Sequence, residues 1–393
     1  MIQRDYLIVG SGVGGASACE GLRKYDKRGT ATLVGAEIFQ PYKRWILSKG
    51  FLREKSPQEK KLQLLDKHWY ESHKIETRFG TVVTQFNIDR RLAVLGNGES
   101  IEFNKACLAM GSRPVRPPVA GVNLGNVIYL RTIRDALALR EMAELEKTVM
   151  VVGGGLLACE AAASLRMMKL KVSLMHRNSY LLNRYLDPQT SEWLTEYFAK
   201  HGVTMLMGES LNGFEGKTVL RNIQTKSGNR VPAGLAVVAC GAEPNLDLVR
   251  NTPLSGPHGS PVTDYLETEE KGIYAIGDLA FYPDRLMGGV RRQTHWDNAR
   301  EQGLIAGANM TGKKRIRYEQ IPYFWTEMFD LTMHFVGDFS VQPTRVDLRG
   351  AYPKRKFVAR YFQGDKLRGI LLCNQTTHEM ESAKKELRHA LGK

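Results

Sequence analysis

The hydrophobic pattern opens on a short apolar run, residues 5–9, which breaks into glycines and resumes as an Ala/Leu-rich stretch over 14–25. A run that short, bounded by turn residues, predicts a buried strand, and the longer stretch predicts a helix. Ala31–Val34 is the next predicted strand. The same grammar returns about 140 residues later, with Val149–Val152 as strand, Leu156–Met168 as helix and Val172–Met175 as strand. A further strand, Gly272–Ile276, runs into Gly277 and Asp278. From about residue 320 short strands alternate with turns, and the chain ends in a helix predicted over Thr377–Ala390. Prolines at 114, 117 and 118 disfavour helix and mark an extended linker; a second linker surrounds Cys240–Asn245.

Each strand-to-helix junction carries a glycine loop: Gly10, Gly12, Gly14 and Gly15 in the first, Gly153, Gly154 and Gly155 in the second. Such loops allow a tight turn, close backbone approach to a pyrophosphate, and close packing of helix on strand. The following helix N-terminus offers unpaired N–H groups and the positive end of its dipole. Two loops in the same context imply two dinucleotides on one chain. Glu37 follows the second strand, 22 residues after Gly15, where an acid is the expected partner of an adenosine ribose hydroxyl.

Composition narrows the class. The chain has 393 residues, 42% hydrophobic and 25% charged, which suits a globular protein of two or three domains. No apolar run is long enough to span a bilayer and the first residues hold no signal-type apolar core, so a cytoplasmic location is expected. Cys19, Cys107, Cys159, Cys240 and Cys373 are well separated and are read as small buried hydrophobes; no Cys/His spacing fits zinc, so no metal is expected. The net charge is +15, and residues 313–393 hold 16 Lys/Arg against 9 Asp/Glu, a net of +7. Such a field attracts acidic partners. The basic residues lack interleaved aromatics, so nucleic acid is not expected as a partner.

Several longer motifs point to one family: Pro41–Arg44 with Leu47–Lys49, Ala109–Pro114, Gly153–Glu160, Gly241–Asn245, Tyr274–Asp278, His295–Gly303 and Pro322–Trp325. Over nearly its whole length the chain resembles the FAD-dependent ferredoxin and rubredoxin reductases of bacterial oxygenase systems, relatives of glutathione reductase and apoptosis-inducing factor. The resemblance implies an α/β fold: two Rossmann-like domains and a small α+β C-terminal domain. It places a split FAD domain at 1–114 and 236–319, an NAD(P) domain at 115–235 and the C-terminal domain at 320–393. It implies FAD contacts from Gly10, Gly12, Gly14, Gly15, Glu37, Arg44, Lys49, Val83, Ala109, Gly111, Arg113, Asp278, His295 and Trp296. It implies NAD(P) contacts from Gly153, Gly155, Leu156, Leu157, Glu160, His176, Arg177, Asn178, Arg184 and Gly241. Lys49, Glu160 and Trp296 would sit at the reacting centre, the first two as an ion pair. Three positions depart from the family pattern: Trp45-Ile46 replaces a proline pair, Met110 a threonine, and Ala158 a glycine.

The resemblance also bears on cofactor and partner choice. Most such reductases place an acid after the strand occupied here by Val172–Met175, whereas this chain has His176, Arg177, Asn178 and Ser179. That loop favours NADP(H) over NAD(H), because Arg177 can pair with a 2′-phosphate that an acid would repel. The expected partner is a small acidic 2Fe–2S ferredoxin or rubredoxin, docking partly on the basic C-terminal domain at Lys313–Arg315, Arg349 and Lys354–Lys356. A disulfide reductase would need a redox cysteine pair just after the first strand–helix–strand unit, and coenzyme A-disulfide reductases or cysteine-dependent NADH oxidases a single cysteine nearby; Arg44–Leu52 has none. The alternative from another class is a flavin-binding interaction protein like apoptosis-inducing factor.

Overall fold

A computed structural model describes residues 1–54 and 58–392. They form two compact units: Met1–Lys43, Gln58–Arg113 and Glu243–Gln320 make the first, and residues 44–54, 114–242 and 321–392 the second.

The first unit is built on a seven-stranded sheet. Strand Ile2–Val9 lies between Ala31–Gly35 and Ser100–Leu108, parallel to both, and Ile75–Phe79 extends the parallel side. Ile273–Ala275 also pairs parallel with Ser100–Leu108, while Val83–Asn87 and Leu92–Leu95 add an antiparallel edge. Side chains alternate between two cores. Ile8 and Leu33 pack with Ala18, Leu22 and Ile305 on one face, while Leu7, Val9 and Val34 pack with Phe103 and Leu279 on the other. The helices Val13–Tyr25 and Trp296–Met310 cross at small residues: a Cβ at Gly21 would strike the Leu304 carbonyl, and one at Gly307 would strike that of Ala18. The first strand starts at Ile2, three residues earlier than its apolar run, because Ile2, Gln3 and Arg4 pair with Ile101, Glu102 and Phe103.

The second unit holds a five-stranded parallel sheet in the order Thr204–Met207, Lys171–His176, Thr148–Val152, Leu235–Val238, Val127–Ile128. The expected boundary at 235/236 falls inside strand Leu235–Val238, whose partners are Thr148–Val152 and Val127–Ile128, so this sheet closes after Val238. Helix Leu156–Met167 follows the Thr148–Val152 strand, and its Ala158, Ala161 and Ala162 are fully buried. Thr132 and Asp135 form a capping box that starts helix Ile133–Leu145; Asp187 caps Pro188–Lys200, with proline at the first turn where no N–H is needed. The last part is a five-stranded antiparallel sheet, ordered Tyr323–Met328, Leu331–Gly337, Lys366–Cys373, Lys356–Gln363, Arg345–Ala351. Helix Thr377–Ala390 buries Met380, Ala383 and Leu387 and begins with a second capping box, Thr376 and Glu379.

Cys19, Cys107, Cys159 and Cys373 are buried, whereas Cys240 is exposed because it lies past the end of the buried strand Leu235–Val238. Burial pushes the Cys19 thiol up to about 12. Among the described residues no helix is long and apolar enough to cross a membrane, and no group of three His, Cys, Asp or Glu is placed to hold a metal ion.

Candidate functional site

The first glycine loop turns from strand Ile2–Val9 into helix Val13–Tyr25. Gly10 has φ 112°, and a Cβ on it would collide with the Ala109 carbonyl. The loop is therefore drawn tight against the end of strand Ser100–Leu108, where Ala109 N donates to Val9 O at 2.7 Å. A Cβ on Gly15 would strike the Gly10 carbonyl. By contrast Gly12, the helix N-cap, has nothing within 4 Å of its Cβ position, and no side chain caps the helix. The geometry fits a pyrophosphate: open space in front of unpaired helix N–H groups, with glycine where backbone must come close.

Around this loop Glu37 accepts a hydrogen bond from the Tyr42 hydroxyl at 2.7 Å. Val83 is buried. Gly111 has φ 66°, and Asn245 holds the turn by donating from N to Gly111 O at 3.0 Å and from Nδ2 to Met110 O at 2.8 Å. Arg113 is exposed toward two acids, pairing with Glu243 at 2.6 Å and with Asp247. Asp278 is 8% exposed and accepts from Ser112 Oγ at 2.6 Å, while Gln302 Oε1 accepts from Gly277 N at 2.8 Å. His295 is the N-cap of the helix that begins at Trp296, and burial pushes its imidazole down to about 4. Tyr42, Ser112, Asn245 and Gln302 lie inside motifs noted in the sequence, but their pairings depend on residues 5 to 166 positions away.

The second loop repeats the construction. Gly153 has φ 133°, and its Cβ would strike the Ala239 carbonyl; Gly155, the N-cap of Leu156–Met167, has nothing within 4 Å. Leu156 and Leu157 open the helix half-buried. His176 ends its strand with the imidazole packed on Gly154, and its Nε2 lies 3.3 Å from Asn183 Oδ1. Asn178 Nδ2 donates to that same oxygen at 3.2 Å, so Asn183, which the sequence did not single out, organises this loop. Burial and the neighbouring Arg177 guanidinium hold His176 below its ordinary value, only partly offset by Asn183. Arg177 and Arg184 are exposed. Glu209 donates its backbone N–H to His176 O at 3.1 Å, but its carboxylate accepts from Ser227 and Asn229. Gly241 has φ 123° and accepts from Val115 N at 3.0 Å.

The second unit also brings Lys49 and Glu160 together, Nζ to Oε1 at 2.7 Å, with side chains 5% and 9% exposed. Glu160 lies one turn into the helix after the glycine loop, and Lys49 Nζ donates also to Trp45 O at 3.1 Å. Trp45 meets Trp325 edge to face, ring centroids 5.4 Å apart. Arg44 belongs to this unit and donates from Nη1 to Arg131 O at 2.6 Å. Trp296 belongs to the first unit.

Residues 4–303 match the pyridine nucleotide-disulphide oxidoreductase family. The chain is similar to rhodocoxin reductase of Rhodococcus erythropolis, 31% identical over 96% of this chain and 88% of that one. It is similar to putidaredoxin reductase of Pseudomonas putida, 30% identical over 94% and 89%. Among solved structures it resembles the covalent putidaredoxin reductase–putidaredoxin complex, with a TM-score of 0.93, 28% identity and coverage of 99% and 94%.

Proposed function

The chain belongs to the pyridine nucleotide-disulphide oxidoreductase family, and from that premise we propose that it takes electrons from NADPH in preference to NADH and delivers them to a small acidic 2Fe–2S ferredoxin or rubredoxin. It is an FAD-dependent NAD(P)H oxidoreductase of the ferredoxin-reductase kind, carrying electrons from NAD(H) through FAD to an electron carrier. Bound FAD supplies the redox chemistry, taking up a hydride and releasing electrons to the carrier. The protein's own task is to bind, orient and shield.

We assign the FAD pyrophosphate to the loop at Gly10–Gly15, the adenosine ribose to Glu37 and the ribityl chain to Asp278. Ala109, Gly111, His295 and Trp296 complete the flavin site. The nicotinamide nucleotide goes to the loop at Gly153–Gly155, with Glu160 beside the reacting end and Arg177, Asn178 and Arg184 around the adenosine phosphate. Lys49 offers a cation where negative charge arrives, and Glu160 orients it. The acceptor docks through basic residues near the C-terminus, and the protein works in the cytoplasm.

The doubled cradle carries this reading: two glycine loops, each with an uncapped helix N-terminus and open space at its N-cap glycine. The NADPH preference is supported by an exposed Arg177 at the strand end, with the nearby Glu209 carboxylate engaged elsewhere. The test has two parts. Flavin released by heat should chromatograph as FAD, and FMN or no flavin refutes the first cradle's assignment. With ferricyanide as acceptor, kcat/KM should be higher for NADPH; a tenfold preference for NADH refutes the phosphate loop.

A further inference from the structure

The Glu160 carboxylate is gripped by more than Lys49. Ser48 Oγ lies 2.5 Å from Oε2, and Thr326 Oγ1 lies 2.7 Å from Oε1, the oxygen that Lys49 also takes. An ionised carboxylate only accepts, so both hydroxyls must donate to it. Ser48 is 3% exposed and Thr326 is 0% exposed. The two arrive by different routes. Ser48 is the neighbour of Lys49, and its carbonyl accepts from Ser164 Oγ at 2.7 Å, so the 48–49 corner is tied to the helix at two successive turns. Thr326 stands on strand Tyr323–Met328, opposite Met333, and follows Trp325, whose ring abuts Trp45.

This arrangement exceeds what neutralising a buried acid needs. A single cation partner leaves a carboxylate free to swing about its χ angles; three donors, two from the 48–49 corner and one from strand Tyr323–Met328, leave one orientation. We propose that Thr326 and Ser48 are positioning residues that fix the plane of the Glu160 carboxylate, and so the place of Lys49, with Thr326 making the C-terminal sheet a part of that support. The proposal rests on the reading of Lys49 and Glu160 as the pair beside the site of hydride transfer.

The test uses the flavin-loaded protein and the variants T326V, T326S, S48A, E160A and E160Q. Loss of one hydrogen bond to a charged group should slow NADPH-driven flavin reduction by about tenfold in T326V and in S48A, with the nucleotide Kd changed by less than about twofold. T326S should restore the rate. In an E160A background, which leaves no side-chain oxygen for the threonine to hold, T326V should cost no further rate, because the threonine acts through the carboxylate. The isotope-edited infrared band assigned to Glu160 by its absence in E160Q should shift in T326V and return in T326S. An unchanged band and rate in T326V, or a T326S variant as slow as T326V, overturns the proposal. A shifted band with an unchanged rate upholds the positioning and refutes the hydride-transfer role of the pair.

Discussion

His176 packs its imidazole against Gly154 so closely that a Cβ at 154 would strike ring atoms Cγ and Cδ2 and lie 2.7 Å from Nδ1. The ring is thereby wedged between the glycine loop and Asn183. Because Asn183 Oδ1 accepts from Asn178 Nδ2, it serves His176 best as an acceptor too, which selects the Nε2–H tautomer. In the free protein this imidazole is held below its ordinary value by burial first and by Arg177 as well. A nucleotide phosphate beside it favours the imidazolium, so NADPH binding should take up a proton. The ratio of NADH to NADPH dissociation constants should therefore rise as pH falls from 8 to 5.5, and lose that slope in His176→Gln. Arg177→Ala should lower kcat/KM for NADPH roughly 10- to 100-fold and change NADH little. His176→Glu should turn the preference toward NADH. Equal losses for both nucleotides in Arg177→Ala would remove the phosphate role.

Tyr42 holds Glu37 at 2.7 Å and thereby fixes the acid assigned to the adenosine ribose. Glu37→Ala should weaken FAD binding roughly 10- to 100-fold, the size of a hydrogen bond to a charged group, and Tyr42→Phe by a smaller factor. Reconstitution of flavin-free protein, followed by flavin fluorescence, measures both. FAD affinity that is the same in Glu37→Ala as in wild type would place the ribose elsewhere.

The two cradles were legible in the sequence because their glycines stand where a Cβ would meet backbone, as at Gly10 and Gly153. No other residue type suits those points, so local sequence alone reveals them. Lys49 and Glu160 are 111 positions apart, and only a family motif brings such a pair to notice. Asn183 and Thr326 were not singled out, since a lone polar residue becomes a partner only when folding buries it beside one. Cys240 was misread as buried for a related reason: composition shows that a cysteine is apolar, not that its strand has already ended.

His295 makes stability depend on pH. Its imidazole has a folded value of about 4 against an ordinary 6.5, because burial disfavours the charged form, with Asp278 opposing. A depressed histidine is neutral when folded, so the unfolded chain binds more protons between these values. Its contribution is complete above about pH 6.5 and is lost as pH falls toward 4, amounting to at most about 3 kcal/mol. The urea midpoint of wild type should fall across that window more steeply than that of His295→Gln. Parallel curves would show that the ring is not buried neutral.

The basic C-terminal part predicts salt-sensitive electron delivery. Residues 313–393 carry +7 of the net +15. Lys354, Arg355 and Lys356 are all exposed at the turn between strands Arg345–Ala351 and Lys356–Gln363, and Arg349 is exposed on the edge strand. Arg355 is partly spoken for by Asp330, and Lys313 by Asp26 at 3.5 Å, so Lys354, Lys356 and Arg349 have the stronger claim on an acidic partner. Electron-transfer encounters use small interfaces, so long-range attraction matters more than contact area. Steering of this kind raises association rates by about 10- to 1,000-fold and collapses as the Debye length shrinks from about 10 Å at 0.1 M to about 3 Å at 1 M. The rate of ferredoxin reduction by wild type should fall with salt, while ferricyanide reduction, which needs no docked protein, should serve as the control for flavin reduction. Neutralising Arg349, Lys354 and Lys356 to Gln should lower the ferredoxin rate at low salt and flatten its salt dependence. A ferredoxin rate that falls with salt equally in wild type and variant would move the docking site off this edge, and a rate indifferent to salt in both would remove steering altogether.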